Sequence, residues 1–409
     1  MRVKYFFLFL FAFLSATLEA QTLKSGLWKG WLHRTDGNNI MFNFEVSYRN
    51  RQPVIHIHNA EERLEVKQVS IKGDSVLIEM PFFESGFALK MEADGSLKGN
   101  WIKGTTGKNM VMPFTAKRGN ETRFLPGEKA RFVVSGKWEL DIIRPNGTTR
   151  PAIAELVQKG NRLTGTILTP TGDYRYLDGI VRDDSLFLST FNGSHAFYIS
   201  AAIENENTLS AGHIYGGLTT VEKFSGRRNE AASLSKEAFA IYVKPGAGPM
   251  DFQFPDLDGK MVGIRDERFR NKVVILQLMG SWCPNCMDET NFLSAYYKKN
   301  FTRGLEIISL AYEYSTDIER SRKSLKKLQQ RFAVTFPMLI TGVTSTDSLR
   351  TEKTLPQLST IKAYPSLVFI GKDGQVRKVH SGFYGPATGD QYTKFVKEFE
   401  ETVDALLNE

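Results

Sequence analysis

The chain has 409 residues and a net charge of +8, from 53 Lys and Arg against 45 Asp and Glu. With 41% apolar and 24% charged residues, its composition is that of an ordinary globular protein and leaves little room for extended disorder. The mild positive charge is spread along the chain, so it favours solubility and does not by itself indicate nucleic-acid binding. We therefore predict no nucleic-acid partner.

The first twenty residues have the layout of a secretory signal peptide. Arg2 and Lys4 precede an apolar run over residues 5–14, and Ala20 stands before the expected cleavage point. This run is too short to span a bilayer comfortably, and no later segment is long and apolar enough for a membrane. We expect residues 1–20 to be a signal peptide and the protein to be exported, to the periplasm or cell envelope. An uncleaved N-terminal anchor is the alternative.

The half of the chain that follows predicts an all-β structure. Short alternating or apolar segments are separated by turn sequences such as TDGNN, ADG and PNG. The clearest predicted strands are IMFNFEV (40–46), PVIHIHN (53–59), SVLIEM (75–80) and SLFLST (185–190).

This β-rich half contains an internal duplication. Two motifs recur at an offset of 110 residues, namely SGLW (25–28) as SGKW (135–138) and DSVLIEM (74–80) as DSLFLST (184–190). We predict one copy over residues 21–120 and a second over 131–229, each with about eight short strands. A small barrel or sandwich is expected, because closure removes exposed strand edges. The repeat resembles no family that we recognise.

A change of composition separates this half from the rest. The segment NEAASLSKEAFA (229–240) is small, polar and alanine-rich, so we expect a linker over residues 230–243 and one α/β domain over 244–409. Continuous apolar runs there are typical of strands that are buried on both faces. The predicted elements are KVVILQLM (272–279), LEIISLA (305–311), SLVFI (366–370), an edge strand within 372–382, and a final helix over 390–407.

One helix of this domain is strongly basic. It is expected to begin with a capping box, Thr316 to Glu319. Six cations crowd this helix: Arg320, Arg322, Lys323, Lys326, Lys327 and Arg331. We interpret them as a solvated face above a packed apolar stripe.

Both cysteines of the chain lie in the sequence GSWCPNC at residues 280–286. A structural disulfide across a ring of four residues stabilises by only about 2 kcal/mol, and no second cysteine pair completes a zinc site. A redox function is therefore favoured for Cys283 and Cys286, with the crosslink and the half zinc site as alternatives. His56 and His58 share one strand face but have no identifiable third ligand, so we predict no metal site and no cofactor.

The local sequence predicts how the two thiols differ. Pro284 suits the first position of a helix, which makes Cys283 the N-cap, facing free backbone N–H groups and the positive end of the helix dipole. Those groups stabilise a thiolate, so we expect Cys283 to be the accessible, attacking sulfur. Cys286 lies one turn further along, on the face of Leu293 and Tyr297, and is expected to be the less exposed, resolving sulfur.

From these residues onward the chain resembles the thioredoxin superfamily, specifically the TlpA-like and ResA-like exported thiol-disulfide oxidoreductases. The resemblance rests on GPMDFQFPDLDGK (248–260), NKVVILQLMGSWCPNC (271–286) and AYPSLVFIGKDGQV (363–376). It implies a thioredoxin-like α/β fold for residues 244–409.

The resemblance also implies roles for individual residues. Pro365 is expected to be cis and close to Cys283, and the backbone of Tyr364 is expected to be free to pair with an extended substrate strand. Trp282 would pack beside the first cysteine on the substrate-facing surface, where we also place Pro284 as a substrate-binding residue.

A proton carrier for the resolving cysteine is less evident. Thioredoxin keeps a buried aspartate six residues before the first cysteine, but this sequence has Gln277 there, which cannot ionise. Glu289 follows Cys286 by three residues, as in ResA-like members, and the resemblance implies that it takes or returns the thiol proton. A solvated helix glutamate is the alternative.

These observations predict an exported thiol-disulfide oxidoreductase that reduces the disulfides of client proteins, with oxidation of client thiols as the alternative. The Pro284–Asn285 pair does not settle the direction, and a reductase in an oxidising compartment needs an electron donor at the membrane. One alternative is a peroxiredoxin-like peroxidase, although that chemistry requires a threonine where this chain has Gly280. Another is a binding or scaffold protein in which the redox domain is ancillary.

Overall fold

The computed structural model of the chain describes residues 22–119, 122–235 and 237–409. The predicted signal peptide lies outside the described residues. Three units follow one another along the chain: two antiparallel nine-stranded sheets, and then a five-stranded mixed sheet with helices. In the described ranges, no helix combines the length and the apolar character that crossing a membrane requires.

The first unit is an antiparallel, barrel-like sheet. Its strands are β1 (Gly26–Leu32), β2 (Ile40–Arg49), β3 (Gln52–Asn59), β4 (Glu62–Val66), β5 (Gln68–Lys72), β6 (Ser75–Glu79), β7 (Ser85–Met91), β8 (Leu97–Lys103) and β9 (Met110–Arg118). Their order in the sheet is β4-β3-β2-β1-β9-β8-β7-β6-β5. Only Lys67 separates β4, which pairs with β3, from β5, which pairs with β6, so the chain itself joins the two ends of the sheet. Alternate side chains such as Phe42 and Phe114, with rings 5.8 Å apart, fill the interior.

The second unit is a closed barrel. Its strands are β10 (Gly136–Ile143), β11 (Thr149–Lys159), β12 (Arg162–Thr169), β13 (Gly172–Asp173), β14 (Leu177–Arg182), β15 (Ser185–Phe191), β16 (Ala196–Asn205), β17 (Thr208–Gly216) and β18 (Thr220–Arg228). Closure follows because β10 pairs with β11 and β18, and β11 pairs in turn with β12. The short strand β13 extends from the end of β12.

Equivalent residues in the two barrels make equivalent contacts, which confirms the predicted duplication. Trp28 and Trp138, 110 positions apart, are both fully buried. The indole N–H of Trp28 donates to the carbonyl of Lys24 at 3.0 Å, and that of Trp138 donates to the carbonyl of Val134 at 2.9 Å. Each bond reaches back four residues, so the start of each barrel is tied down in the same way.

The third unit is an α/β domain. Its strands are β19 (Gln253–Pro255), β20 (Met261–Gly263), β21 (Val273–Met279), β22 (Leu305–Ala311), β23 (Met338–Ile340), β24 (Ser366–Ile370) and β25 (Val376–Ser381). Its helices are α1 (Pro284–Asn300), α2 (Ile318–Phe332), α3 (Arg350–Thr354) and α4 (Asp390–Asn408). The main sheet has the order β23-β22-β21-β24-β25, with β21, β22 and β23 parallel and the other two antiparallel to their neighbours.

Burial explains why this sheet was visible in the sequence. Every residue of β21, β22 and β24 is buried, so these strands are almost continuously apolar. The observed architecture confirms the predicted fold class, an all-β duplicated half followed by an α/β domain. The predicted boundaries of the linker stay predictions, although Tyr242 within it already donates its backbone N–H to Ser359 of the α/β domain.

The start of α2 differs from the prediction. The capping box beginning at Thr316 is wrong, because Asp317 is the N-cap and its carboxylate accepts from the backbone N–H groups of Glu319 and Arg320. An aspartate side chain bonds these first free N–H groups as well as threonine does.

The basic face of α2 is not the solvated surface that we predicted. Arg320 binds the carboxylate of Glu84 through two nitrogens, at 2.7 and 3.0 Å. Lys327 binds Glu79 of β6, and Arg331 lies 3.5 Å from Glu65 of β4. Three of the six cations therefore join the α/β domain to acidic groups of the first barrel, whereas Arg322 and Lys326 pair with Glu319 and Asp258 of their own domain.

Candidate active site

The two cysteines lie where β21 has ended and α1 begins. Cys283 is the N-cap of α1 with extended backbone angles, φ −100° and ψ 118°, and Pro284 is the first helical residue. The Cys283 sulfur accepts a hydrogen bond from the backbone N–H of Cys286 at 3.3 Å. Both placements agree with the sequence prediction, and they direct a helix N-terminus at the first sulfur.

A proline loop faces this helix start. The Tyr364–Pro365 peptide bond is cis, as the resemblance implied. The carbonyl oxygen of Tyr364 lies 3.7 Å from the Cys283 sulfur and accepts from its thiol. The structure thus brings together Cys283, Cys286, Tyr364 and Pro365, although they come from two segments of the chain about eighty residues apart.

Cys286 is fully buried, and burial raises the pKa of its thiol well above the ordinary value. The neighbouring Cys283 raises it further, and so does Glu289 when it is ionised. The second thiol is therefore a poor nucleophile until a nearby group removes its proton.

Glu289 is also fully buried, so the alternative of a solvated helix glutamate is wrong. Burial raises the pKa of its carboxyl to about 8, against the lowering effect of a hydrogen bond from Gln277. That bond joins Gln277 Nε2 to Glu289 Oε2 at 2.9 Å. The other oxygen, Oε1, is buried and has no hydrogen-bond partner among the described residues. A protonated carboxyl with a free oxygen is thus held within electrostatic range of Cys286.

Gln277 positions the side chain of Glu289, a role that its place in a buried strand did not predict. Its side-chain oxygen accepts from Ser309 at 2.6 Å and from Thr290 at 3.3 Å, which leaves its amide to donate to Glu289. The buried acid one turn after Cys286 therefore comes from helix α1, and Gln277 of β21 orients it.

Aromatic side chains surround the first cysteine. The ring of Trp282 stacks on Tyr314 with centroids 5.0 Å apart and meets Tyr364 edge-on at 5.9 Å. Its indole N–H donates to the carbonyl of Tyr312 at 2.9 Å. Sequence reasoning found Trp282 but missed the two tyrosines that follow β22. Their signal was the sequence AYEY (311–314) at the carboxyl end of a buried parallel strand, beside the end of β21.

Glu313 lies between those tyrosines and was also missed. Its carboxylate accepts from the backbone N–H of Ser281 at 2.8 Å and from the Ser281 hydroxyl at 2.6 Å. Burial raises the pKa of this carboxyl to about 7. The contact fixes the turn that carries the chain from β21 to Cys283.

One sequence expectation fails in this structure: Cys283 is only 6% exposed. Pro284 and Asn285, which follow it, are buried as well, whereas Trp282 and Tyr364 are half-buried. A thiol at a helix N-terminus was expected to be accessible. The second barrel packs against the residues on both sides of Cys283.

The strongest of these barrel contacts involves β13. Asp173 Oδ1 accepts from the side-chain amide of Asn285 at 2.6 Å and from the backbone N–H of Gly385 at 2.9 Å. Gly172 forms a parallel β-bridge with Phe383, which follows β25 of the redox domain. A β-carbon placed on Gly172 would lie 2.8 Å from Asn285 Oδ1, so there is no space for a side chain between Gly172 and the Asn285 amide.

Arg175 adds a charged contact beside it. Its guanidinium binds Asp288 of α1 and Glu62 of β4, and also donates to the carbonyl of Pro284 at 3.4 Å. The Arg175 side chain is 5% exposed and its two partners are 11% and 13% exposed, so this cluster joins all three units largely shielded from water. Burial raises the pKa of Asp288 to about 7 despite the arginine.

A loop of the second barrel contacts Trp282. The hydroxyl of Ser194 donates to the carbonyl of Trp282 at 3.0 Å. Lys103 of the first barrel holds that loop, because its ammonium group donates to the carbonyl of Ser194 at 2.7 Å. In the described parts of the chain, no group of three or more His, Cys, Asp or Glu side chains is placed to hold a metal ion.

A dithiol at the start of a helix, beside a cis-proline loop and above a mixed sheet, defines the site of a thioredoxin-like redox domain. The comparisons agree with this class, because residues 245–379 match the model of the AhpC/TSA family.

Two curated relatives are thiol-disulfide oxidoreductases named ResA. The protein from Geobacillus thermodenitrificans is 26% identical over 151 residues, which are 37% of this chain and 76% of the relative. The protein from Bacillus subtilis is 22% identical over 158 residues, 39% of this chain and 79% of the relative. The resemblance to ResA-like oxidoreductases is therefore confirmed for the C-terminal region.

Solved structures of similar proteins match a share of this chain similar to that matched by the curated relatives. A thiol:disulfide interchange protein of the thioredoxin family from Chlorobium tepidum has 18% identity and a TM-score of 0.29, covering 41% of this chain and 99% of that one. A thiol-disulfide oxidoreductase from Bacteroides fragilis has 18% identity and a TM-score of 0.28, covering 37% of this chain and 98% of that one.

Proposed function

We propose that this protein is an exported thiol-disulfide oxidoreductase that reduces disulfides of client proteins. One observation carries the proposal: Cys283 is the N-cap of α1, Cys286 is one turn further along, and the carbonyl of Tyr364 before the cis-proline lies 3.7 Å from the first sulfur. This arrangement gives two thiols different reactivities and places a backbone group beside the sulfur that reacts first.

In the proposed reaction the Cys283 thiolate attacks one sulfur of a client disulfide. A bond forms between Cys283 and that sulfur, the client S–S bond breaks, and the released client thiolate takes up a proton. Cys286 then loses its proton and attacks the Cys283 sulfur, which releases the second client thiolate. The client has gained two electrons, and the enzyme is left with a Cys283–Cys286 disulfide.

Glu289 is proposed to move the proton in the second step. The pKa of the Cys286 thiol is raised by burial, so this thiol requires a base, and the pKa of Glu289 is about 8, closer to that of a thiol than an ordinary carboxyl. Proton transfer is most efficient between groups of similar pKa. The ionised form of Glu289, which is the minor form below pH 8, takes up this proton, and Oε1, which has no other partner in the described structure, is the atom available for the transfer.

Trp282, Pro284, Tyr364 and Pro365 are proposed to form the surface that receives the client. Trp282 is fixed through its indole N–H, and the cis-proline loop presents backbone groups beside Cys283. Client recognition through backbone pairing tolerates different client sequences, which suits a reductase with several clients.

Export and the source of electrons complete the proposal. The first twenty residues are proposed to direct secretion, and disulfides persist in the compartments reached in that way. A reductase there has to be reduced again after each turnover, so we propose a membrane protein as the electron donor and no cofactor bound to the chain itself.

The decisive experiment combines a potential with trapping. The Cys286→Ser variant should accumulate a mixed disulfide between Cys283 and its clients, whereas the matched Cys283→Ser variant should accumulate none. The reduction potential of the dithiol should lie below the glutathione poise of an oxidising compartment, about −180 to −210 mV in the endoplasmic reticulum. A potential near −120 mV, as in strong thiol oxidants, would reverse the proposed direction.

A peroxidase is the second candidate, because the matching family is AhpC/TSA. The reacting cysteine would then reduce a hydroperoxide, forming a sulfenic acid that Cys286 converts to the disulfide. Gly280 stands three residues before Cys283, where that chemistry requires a threonine. Turnover of hydrogen peroxide with a thiol donor, lost in Cys283→Ser, would favour this candidate over the reductase.

A further inference from the structure

The second barrel contacts the redox domain on the face that carries Cys283. Its residues bind the backbone carbonyl of Trp282, the backbone carbonyl of Pro284 and the side chain of Asn285. These three residues flank the reacting sulfur on both sides. A client disulfide has to approach the same sulfur from outside the domain, because β21 and α1 lie behind it.

The contact is made by two separate segments of the barrel. One contains β13, where Gly172 meets Asn285 and Phe383 and Asp173 accepts two hydrogen bonds from the redox domain. The other is the loop of Ser194, which reaches the carbonyl of Trp282 at 3.0 Å. Because two separate segments contact the same face, the interface does not depend on a single residue.

The chemistry of the contact allows it to separate. Its named bonds are hydrogen bonds and ion pairs, and the buried Arg175, Glu62 and Asp288 side chains regain water when the surfaces part. The two barrels, by contrast, hold each other through apolar rings, because Phe191 of the second stacks on Phe42 of the first at 4.3 Å and meets Trp101 at 5.2 Å. The two barrels therefore share an apolar contact, whereas the bonds named between the second barrel and the residues around Cys283 are polar.

We infer that the second barrel covers the client-binding face of the redox domain, so that a client and the barrel compete for the residues around Cys283. The occupant of that face in this structure is a named part of the chain itself, the segments of Gly172–Arg175 and Ser194. Reaction with a client requires these segments to move away from Trp282, Pro284 and Asn285. The statement about clients rests on the proposed function, whereas the cover over the thiol does not.

Alkylation of the reduced, full-length protein tests the cover without any enzymatic assay. The rate at which iodoacetamide modifies Cys283 is measured by mass spectrometry in the wild type and in Gly172→Val. The new side chain has no room beside Asn285, while a β-branched residue suits the strand conformation of β13. Overpacking of this kind should raise the alkylation rate between about fivefold and a hundredfold.

Two further variants make the result specific. Ser194→Ala removes the hydroxyl that donates to Trp282 and should raise the rate by roughly fivefold, the effect of one hydrogen bond. Gly107→Val is the matched control, because Gly107 is exposed and a β-carbon there meets nothing within 4 Å, so the rate should stay at the wild-type value. Tryptophan fluorescence of each variant shows whether the barrels stay folded, and Ser194→Ala tests the inference even if Gly172→Val does not fold.

The second arm measures reduction of insulin, a protein disulfide, and of glutathione disulfide. Gly172→Val and Ser194→Ala should accelerate the insulin reaction more than the glutathione reaction, because the larger substrate needs more of the covered face. An unchanged alkylation rate in both variants would overturn the cover. Faster alkylation with an unchanged insulin rate would overturn the competition. Faster alkylation with no reduction of either disulfide by any variant would leave the cover in place and reject the proposed function.

Discussion

Gln277 donates a hydrogen bond from its side-chain amide to Oε2 of Glu289 at 2.9 Å, and both side chains are fully buried. The pair joins strand β21 to helix α1 directly behind the two cysteines. A neutral amide cannot compensate a carboxylate charge. Burial therefore raises the pKa of the Glu289 carboxyl to about 8.

This relationship makes the stability of the redox domain depend on pH. The pKa of Glu289 is higher in the folded protein than its ordinary value of 4.5, so between pH 4.5 and 8 the unfolded chain loses its proton first. The free energy of unfolding therefore falls as pH rises through this range. Glu289→Gln removes the titrating group and should raise the thermal midpoint at pH 8, with little difference from wild type at pH 4.5.

Thermal unfolding at the two pH values, followed by circular dichroism, measures this difference. Glu401→Gln is the control, because Glu401 is exposed on α4 and its removal should leave the midpoint unchanged at both pH values. An equal effect of Glu289→Gln at pH 4.5 and pH 8 would show that the carboxyl is not held protonated.

The same substitution should slow the second chemical step. Without the carboxyl at position 289, no group removes the proton from Cys286, and general-base assistance is worth about a hundredfold or more. Mixed disulfides with a client should therefore persist longer in Glu289→Gln, while the first attack by Cys283 is unchanged. Single-turnover release of the client thiols separates the two steps, and a normal rate of release would remove Glu289 from the mechanism.

The duplicated tryptophans predict parallel effects in the two barrels. Trp28 and Trp138 are fully buried, and each donates to a carbonyl four residues earlier. Truncation of either to alanine should lower the free energy of unfolding of its barrel by about 3–5 kcal/mol. Phenylalanine keeps most of the packing, so it should have a smaller effect, about 1–3 kcal/mol, from the carbonyl left without a partner.

Denaturant unfolding of the four variants, with Trp31→Phe as a half-buried control, measures these energies. Similar losses at the two positions are expected from the shared geometry. A large loss at only one of them would show that the duplication in structure is not a duplication in energetics.

The ion pair between Glu84 and Arg320 predicts a coupling between the first barrel and the redox domain. Glu84 accepts from two nitrogens of Arg320 and from the Ser324 hydroxyl at 3.0 Å. Glu84→Ala should lower the free energy of unfolding by about 1–3 kcal/mol, because these are charge-assisted bonds between partly buried groups. Asp258→Asn breaks a more exposed pair with Lys326 and should have almost no effect.

Equilibrium unfolding in urea compares the Glu84 and Asp258 variants. Sodium chloride at 1 M should reduce the difference between wild type and Glu84→Ala, since screening weakens the pair that the mutation removes. Equal losses in the two variants would mean that the Glu84 contact does not couple the domains.

The local features of the redox domain could be predicted because each leaves a mark in a short stretch of sequence. A strand buried on both faces is apolar without interruption, as in Val273–Met279, and a proline after Cys283 marks the first turn of a helix. The duplication was visible because both copies keep the same residues at the same spacing, as Trp28 and Trp138 show.

No sequence pattern predicted the contacts between the units. Asp173 and Asn285 are 112 positions apart, and neither belongs to a periodic pattern that indicates a partner. For the same reason the cations of α2 looked solvated, although Glu79 and Glu84 lie opposite them. The accessibility predicted for Cys283 was wrong because it was argued from the redox domain by itself.

The order of the units along the chain has a consequence for biogenesis. Both barrels precede the redox domain, they contain no cysteine, and domains nearer the N-terminus generally fold first. The barrels therefore fold without any thiol that could be oxidised. Cys283 and Cys286 emerge after both barrels, so the barrel surface that contacts their neighbours can form before the two thiols are made.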